Sequence, residues 1–499
     1  SSLNMKFKNI KLKAHITVFI TLVLIIISGL LFTLIHSVIY TSLQFSFNMA
    51  CRMALEGTFA GFNNEVFEKY GIYILKDDGS EDVIKRIIRD NISESSLDFL
   101  ELNTTKDIYI TDNNGEHFYN QTLDYMSHEG IGEEIEKYAG MLKFDDNKQK
   151  TDFNSDMEKL NELIDVDMSE SEMREKLKEL KAGGGINSGS LGADIDSKMN
   201  NLDKGGQESE TNVELPRVPR NLYDKMKSTG GNSVDEILKT EHISDKNIND
   251  ISFASYASDS NASQEDENES KTFVNNEIFR EYLTLKFSSF TEQKEENELL
   301  DYQLEYILTG KKSDKENIEG VTKRLKLIRE GINVAYIFSN SKMRSEAKAL
   351  ASELFGWTGN ALLVEIAEYG IILLWGYAES IADVKALLNG DKTPLVKSES
   401  TWHVTIVDLV SLNYEPDKEK CNTGIKYNEY LRILLSMDSV DTQVLRAMDM
   451  IELHMIGKGE SEFKMSEYIF EKNITAKCNL PYGRKEYIVD AEYAYSNRV

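Results

Sequence analysis

The sequence contains few of the residues from which disulfide frameworks, zinc sites and proline-rich stalks are built. Among its 499 residues there are only 5 prolines and 3 cysteines. Cys51, Cys421 and Cys478 are too few for a disulfide framework and lack the C-x₂-C spacing of a zinc site. We expect them to be small buried side chains, with a Cys421–Cys478 disulfide as the alternative.

The sequence also lacks the local motifs of common active sites. It contains no H-E-x-x-H, G-x-S-x-G or P-loop pattern, and its 7 histidines do not fall at metal-ligand spacing. We therefore predict no catalytic residue, no cofactor and no metal ligand. An enzyme remains the alternative, namely a membrane-anchored hydrolase that acts on cell-surface polymers with paired carboxylates.

Charge is distributed unevenly along the chain. The formal net charge is −27, which argues against nucleic acid as a partner, because lysine and arginine clusters would have to neutralise its phosphates. Residues 1–50 hold four lysines and no acidic residue, so they carry +4 and the rest of the chain carries −31. The first acidic residue is Glu56.

The charge-free region contains a long apolar run. Fifteen of the twenty residues from Ile16 to Ile35 are Leu, Ile, Val or Phe. A helix over 16–40 would be about 37 Å long, enough to cross a hydrocarbon layer of about 30 Å, so the lipid bilayer is a predicted partner. A cleaved secretory signal is the alternative, but its apolar region would be only about 7–15 residues long. The lysines predict that 1–15 is a basic cytoplasmic leader and that the body is extracytoplasmic.

An apolar stripe at helical spacing continues beyond the predicted span and predicts that the helix extends to about residue 68. Beside it runs a row of small residues, which let a second backbone approach closely. This candidate helix-packing interface can face the protein's own globular domain or neighbouring subunits. The row consists of Ala50, Ala54, Gly57 and Gly61.

The rest of the chain predicts an α+β fold. An α+β domain is predicted over 41–142. Residues 143–275 carry a net charge of −12, which predicts an acidic low-complexity insertion, and this insertion contains one predicted helix near 155–181. A helical domain over 276–396 and a C-terminal α+β segment over 397–499 follow. The last two alternating segments, 462–480 and 484–496, predict a β-hairpin that can pair with strands of the first domain.

Three further patterns lie in the C-terminal half. The run 361–390 is apolar almost all round, and its acidic residues favour a buried central helix over a second membrane span. The segment 404–412 predicts a strand. A basic cluster at helical spacing is typical of a solvated helix face, and an anionic partner is its alternative. That cluster consists of Lys323, Arg324, Lys326 and Arg329.

Several stretches resemble a family of uncharacterised single-span membrane proteins from Gram-positive bacteria, related to the TadE/TadG-like minor pilins of Tad-type pilus systems. The matching stretches are HITVFITLVLIIISGLLFTLI (15–35), NNEVFEKYGIYIL (63–75), LLWGYAESIADVKALLNGDKTPLVKSESTW (373–402) and YNEYLRILLSMDSVDTQVLRAMDMIE (427–452). The resemblance makes 41–142 a pilin-like domain. It implies a non-catalytic, membrane-anchored component of the Gram-positive cell surface, whose partners are other pilin-like or Tad-apparatus subunits.

The resemblance also implies a leader-cleavage site after a small residue, for which Ala14 is the candidate. Pilins usually carry a glutamate five residues into the mature helix, and this sequence has Phe19 at that position.

Overall fold

We analysed a computed structural model that describes residues 2–92, 97–128, 169, 171–173, 175–176, 233–238, 242–259, 272–294, 298–481 and 485–495. Most of the predicted helix at 155–181 and most of the predicted insertion lie outside these residues. The chain divides into two units, which are Ser1–Tyr125 together with Lys464–Val499, and Met126–Phe463. The predicted segment 397–499 is therefore split between the two units.

The first unit combines helices with an antiparallel sheet. Its elements are α1 (Ser2–Phe59), α2 (Asn64–Tyr70), β1 (Leu75–Lys76), α3 (Ser80–Ile92), β2 (Asp98–Tyr109), α4 (Asp112–His128), β3 (Tyr468–Leu480) and β4 (Lys485–Ala494). α4 begins with a turn after β2, in which Asn113, Asn114 and Gly115 adopt left-handed backbone dihedrals.

The strand β3 is the centre of the four-stranded sheet. β2 pairs with it on one side, and β4 and β1 also pair with it, all antiparallel. The predicted C-terminal hairpin is thus confirmed, and so is its pairing with strands of the N-terminal part. Because β3 lies almost 360 residues beyond β2 in the sequence, this unit closes only when both ends of the chain are present.

The long helix α1 ends earlier than the apolar stripe predicts. It stops at Phe59, and Asn63 starts α2 by accepting the backbone N–H of Val66 on its side chain. The Tyr495 hydroxyl donates to the carbonyl of Phe59 at 2.6 Å, which satisfies one of the acceptors that a helix end leaves unpaired. The predicted single helix to about residue 68 is therefore two helices.

The second unit is helical. Its elements are α5 (Ser233–Leu238), α6 (Tyr256–Asp259), α7 (Phe273–Lys286), α8 (Gln303–Thr309), α9 (Asp314–Ser339), α10 (Ser341–Phe355), α11 (Ala361–Leu388), α12 (Ile406–Ser411), α13 (Tyr427–Ser436) and α14 (Val440–Gly457). α11 is the central helix, as predicted, and 89% of its most apolar window is buried against its neighbours.

The predicted strand at 404–412 is wrong, because α12 occupies most of this segment. Thr405 accepts the backbone N–H of Asp408 on its hydroxyl, and the Asp408 carboxylate accepts the backbone N–H of Thr405. This reciprocal capping box starts a helix where the alternating apolar pattern alone indicates a strand.

α9 and α11 pack with almost no space between their backbones. A Cβ atom on Gly376 would lie 2.5 Å from Val334 Cγ2 and 3.1 Å from the Val334 backbone nitrogen. Glycine at position 376 therefore allows the two helices to approach closely at this point.

The substitution Gly376→Ala is expected to destabilise the second unit by about 1–3 kcal/mol, because the added methyl group overpacks this contact. The matched control is Gly356→Ala, at a φ of −60° and with no atom within 4 Å of the added Cβ. Urea unfolding followed by tryptophan fluorescence reports on this unit, since all 3 tryptophans lie in it. Equal midpoints for the two variants would contradict the close packing.

Candidate functional site

The predicted membrane segment lies within α1 and has its side chains uncovered. Large apolar residues between Val18 and Ile39 are mostly exposed, and Phe32 is 71% exposed. The most apolar window of the helix has a mean hydropathy of 2.9, and none of it is buried. The helix is therefore long and apolar enough to cross a membrane, and an uncovered apolar surface of this size is costly in water.

The same helix has a different environment after about residue 46. Its apolar side chains there pack with α3 and the sheet into one core. The residues of this core are Phe47, Ala50, Cys51, Ala54 and Leu55 of α1, Ile84, Ile88 and Ile92 of α3, and Leu102, Ile474, Ala476, Cys478, Val489 and Ala491 of the sheet.

The predicted row of small residues is divided by this packing. Ala50 and Ala54 are 3% and 0% exposed and face the core of their own unit. Gly57 and Gly61 lie on the surface, and a Cβ on Gly57 would meet only Ile87 Cδ1, at 3.7 Å. Within the described residues, only the glycine half of the row is therefore open to a partner. Ala14 lies in the part of α1 for which the backbone alone is described.

The groups that sequence reasoning missed form a buried ion cluster in the second unit. Glu379 and Asp383 lie one turn apart on α11, and both carboxylates are fully buried. The Lys397 ammonium lies 2.6 Å from Glu379 Oε1 and 2.6 Å from Asp383 Oδ1, and it donates to the Thr401 carbonyl at 2.9 Å. The ammonium therefore forms hydrogen bonds with Glu379 and the Thr401 carbonyl, and an ion pair with Asp383.

A second cation completes the cluster from α9. The fully buried Arg329 donates from Nε to Asp383 Oδ2 at 2.9 Å and from Nη1 to the Pro394 carbonyl at 2.8 Å. Asn333 adds a hydrogen bond to the same carboxylate oxygen, also at 2.9 Å. Two formal positive charges therefore balance two negative ones inside a space without water-exposed side chains, the condition under which buried charges are tolerated.

The surroundings shift the protonation equilibria of the cluster in different directions. Burial raises the pKa of Glu379 above its usual value, although the neighbouring lysine and the backbone N–H of Val404 act against this shift. Burial also acts to raise the pKa of Asp383. The positive charges of Arg329 and Lys397 outweigh this effect and hold the pKa of Asp383 below its usual value. Arg329 is thus matched by a carboxylate that stays ionised.

The ring of His403 touches the cluster but stays neutral at pH 7. Burial, followed by the nearby Lys397, lowers the pKa of His403 to about 4. Its Nδ1 accepts the backbone N–H of Asp417 at 3.2 Å, so its proton is on Nε2, 3.8 Å from Asp383 Oδ1.

Glu379, Asp383 and His403 also place one potential ligand atom each within 4.8 Å of one another. These residues do not fit a metal ion, however. The carboxylates already bind the Lys397 ammonium, and the free nitrogen of His403 carries a proton. The cluster instead links α9, α11 and the segment 394–404 through hydrogen bonds.

The predicted solvated basic face of α9 is therefore wrong for two of its four members. Arg329 is fully buried in the cluster, and Lys326 is 5% exposed with its ammonium over the Tyr377 ring at 4.4 Å. Lys323 is exposed, and Arg324 forms two partly exposed hydrogen bonds with Asp438. The sequence did contain a signal for this burial, namely the acidic residues inside the apolar run of α11. Buried acidic residues require cationic partners, so some basic side chains have to be buried as well.

The cysteines agree with the prediction of small buried side chains. Cys51, Cys421 and Cys478 are all buried and carry free thiols.

An open groove of about 560 Å³ lies in the first unit between α1 and the sheet. Arg52 and Glu56 of α1 line it opposite Asp490 and Glu492 of β4. The groove is a polar surface beside the exposed side of α1 rather than an enclosed cavity.

The substitution Lys397→Met is expected to lower the free energy of unfolding of the second unit by about 3–5 kcal/mol, because it leaves buried carboxylates without their cation. The matched control Lys342→Met removes an ion pair with Glu399 whose side chains are 69% and 79% exposed, and it should leave the free energy of unfolding almost unchanged. Urea unfolding at pH 7 measures the free energy of unfolding of both variants.

Lowering the pH should reduce the effect of Lys397→Met. The native pKa of Glu379 is raised, so the native state takes up a proton at a higher pH than the unfolded chain, and protonation removes one unpaired charge. If Lys397→Met and Lys342→Met lower the free energy of unfolding equally at pH 7, the cluster is hydrated, and this result would contradict its structural role.

Comparison with known proteins assigns a family. A family model described as "Family of unknown function (DUF5702)" matches residues 212–480, more than half of the chain, and this match includes the whole ion cluster. Neither a curated protein nor a solved structure matches the chain.

Proposed function

The chain belongs to the DUF5702 family of unknown function, and we propose that it is a membrane-anchored, extracytoplasmic structural or accessory component of a Tad-like pilus or secretion apparatus. The observation that carries this proposal is the change of environment along α1. Its first part exposes an apolar surface long enough for a bilayer, and its second part forms one layer of a helix-on-sheet unit.

The charge distribution supports the orientation. Four lysines precede the apolar run, and no charged residue occurs between Lys13 and Arg52. Positively charged flanks are retained in the cytoplasm, so the body after about residue 40 lies outside.

The buried ion cluster supports a structural role over the enzymatic alternative. Its titratable groups bind one another, and their side chains are at most 1% exposed, which leaves no position for a substrate atom. The resemblance of residues 15–35, 63–75, 373–402 and 427–452 to relatives of the TadE/TadG-like minor pilins supports a place in a pilus-like assembly.

The topology is tested by adding protease to intact cells from which the wall has been removed. The body should be digested while the anchor peptide stays protected in the membrane, because only residues after the span are outside. Mass spectrometry of the protected peptides measures the boundary and also shows whether the chain is cut after Ala14. Protection of the body until the cells are lysed would contradict the orientation, and a missing anchor would indicate a cleaved signal.

A subunit contact at the exposed glycines is tested by Gly57→Lys. The lysine should reduce co-purification with pilus-like subunits at least severalfold, because it adds a charged side chain where a second backbone would approach. Gly356→Lys is the control, since it makes the same change at an exposed glycine in the second unit. Ala54 is unsuitable, because a charge there would disrupt its own core. Unchanged co-purification of the Gly57 variant would exclude this contact.

A further inference from the structure

The ion cluster of the second unit holds an amine in direct contact with two carboxyl groups. Lys397 Nζ lies 2.6 Å from Glu379 Oε1 and 2.6 Å from Asp383 Oδ1, and all three side chains are 0% exposed. An amine and a carboxyl group can condense to an amide with loss of water. Groups that are fixed in contact react far faster than the same groups free in solution, so this ion pair also has the geometry of a pair of reactants.

Glu379 is placed as the carboxyl group that the amine attacks. The backbone N–H of Val404 donates to its Oε2 at 2.7 Å, and the backbone N–H of His403 donates to Oε1 at 2.9 Å and to Oε2 at 3.0 Å. These N–H groups are fixed where negative charge develops on oxygen when an amine adds to the carboxyl carbon. Burial raises the pKa of Glu379 and so favours the protonated carboxyl group, which is the form that an amine can attack.

Asp383 is placed as the base. Its Oδ2 accepts hydrogen bonds from Arg329 Nε and Asn333 Nδ2, both at 2.9 Å, whereas its buried Oδ1 accepts none from the described residues. Oδ1 is the oxygen beside the Lys397 ammonium, so it has a lone pair available for a proton. Burial acts to raise the pKa of Asp383, but Arg329 and Lys397 hold it below its usual value, so the carboxylate is ionised as a base has to be.

We propose that Lys397 and Glu379 form an intramolecular amide bond, with Asp383 as the base. Asp383 Oδ1 takes one proton from the ammonium, and rotation about Cε–Nζ aims the freed lone pair at Cδ of protonated Glu379. The C–N bond forms and the carbonyl electron pair moves onto oxygen, facing the backbone N–H groups. The hydroxyl group then leaves as water with a second proton from nitrogen, the C=O bond forms again, and Asp383 releases the proton that it took.

The charges and atoms of the cluster stay balanced in this reaction. It removes one buried positive and one buried negative charge, releases one water molecule and needs no oxidant or cofactor. Arg329 remains paired with Asp383, and the desolvation of one ion pair is relieved. The amide joins α11 covalently to the segment 394–404. Because the reaction occurs once and its product is a cross-link, it agrees with a structural role, and it does not depend on the proposed topology.

Peptide mapping of the full-length chain, purified in detergent and then unfolded, tests the bond. Trypsin cleaves after free lysine, so an unmodified chain gives 349–385 and 393–397 as separate peptides. The amide blocks cleavage after Lys397. We therefore expect 349–385 joined to 393–418, lighter than the sum of the two by the mass of one water molecule. Fragmentation of the joined peptide should place the bond on Glu379.

Matched variants identify the reacting groups. Lys397→Met removes the amine and should release 349–385 as a separate peptide, whereas Lys342→Met removes an exposed lysine and should keep the joined peptide. Asp383→Asn keeps both reacting groups and lacks the base, so the joined fraction should fall at least tenfold, with tryptophan fluorescence to show that the variant has folded.

The wild-type map decides the question even if a variant fails to fold. Complete cleavage after Lys397 in the folded wild-type protein, or a bond to Asp383 in place of Glu379, would overturn the proposal. An unchanged joined fraction in folded Asp383→Asn would overturn the assignment of the base.

Discussion

A helix that leaves a bilayer needs new cover for its apolar side chains, because water is a poor solvent for them. As the proposed anchor, α1 meets this constraint within one continuous stretch of backbone. Its residues up to about 40 expose their apolar side chains, and from Phe47 onward they are covered by α3 and a four-stranded sheet. The central strand of that sheet comes from the C-terminal end of the chain. The apolar side chains of α1 are therefore fully buried only after the C-terminal strand has been synthesised.

The second unit depends on a different constraint, which is charge balance without water. Five polar side chains that are almost fully buried meet around Asp383, and each carboxylate has at least one cation at hydrogen-bond distance. Such a cluster contributes more to the specific arrangement of helices than to net stability, because desolvating the charges costs nearly as much as their attraction returns. Because these groups are buried and form ion pairs with one another, we propose a structural rather than a catalytic role for them.

Sequence patterns predicted the elements whose signal is local. The long apolar helix at the N-terminus, the central helix α11 and the C-terminal hairpin were all predictable from composition and periodicity. The end of α1 and the helical state of 406–411 were not predicted, although Asn63 and the Thr405–Asp408 pair are local capping signals that indicate both. The ion cluster required more than the sequence offers. Arg329 and Asp383 are 54 residues apart, and only the packing of α9 on α11 decides that a basic side chain faces inward.

One unbroken helix, α1, runs from the uncovered apolar segment into the core that it forms with the sheet. Hydrogen–deuterium exchange of the protein in lipid nanodiscs measures this directly, because amides bonded within a helix exchange slowly. We predict continuous protection from Val18 to Phe59, including residues 41–46 between the two environments, and faster exchange at Ala60–Asn63, where the helix ends. Rapid exchange at 41–46 would show that the proposed anchor and the body are joined by a flexible hinge, and would contradict a continuous helix.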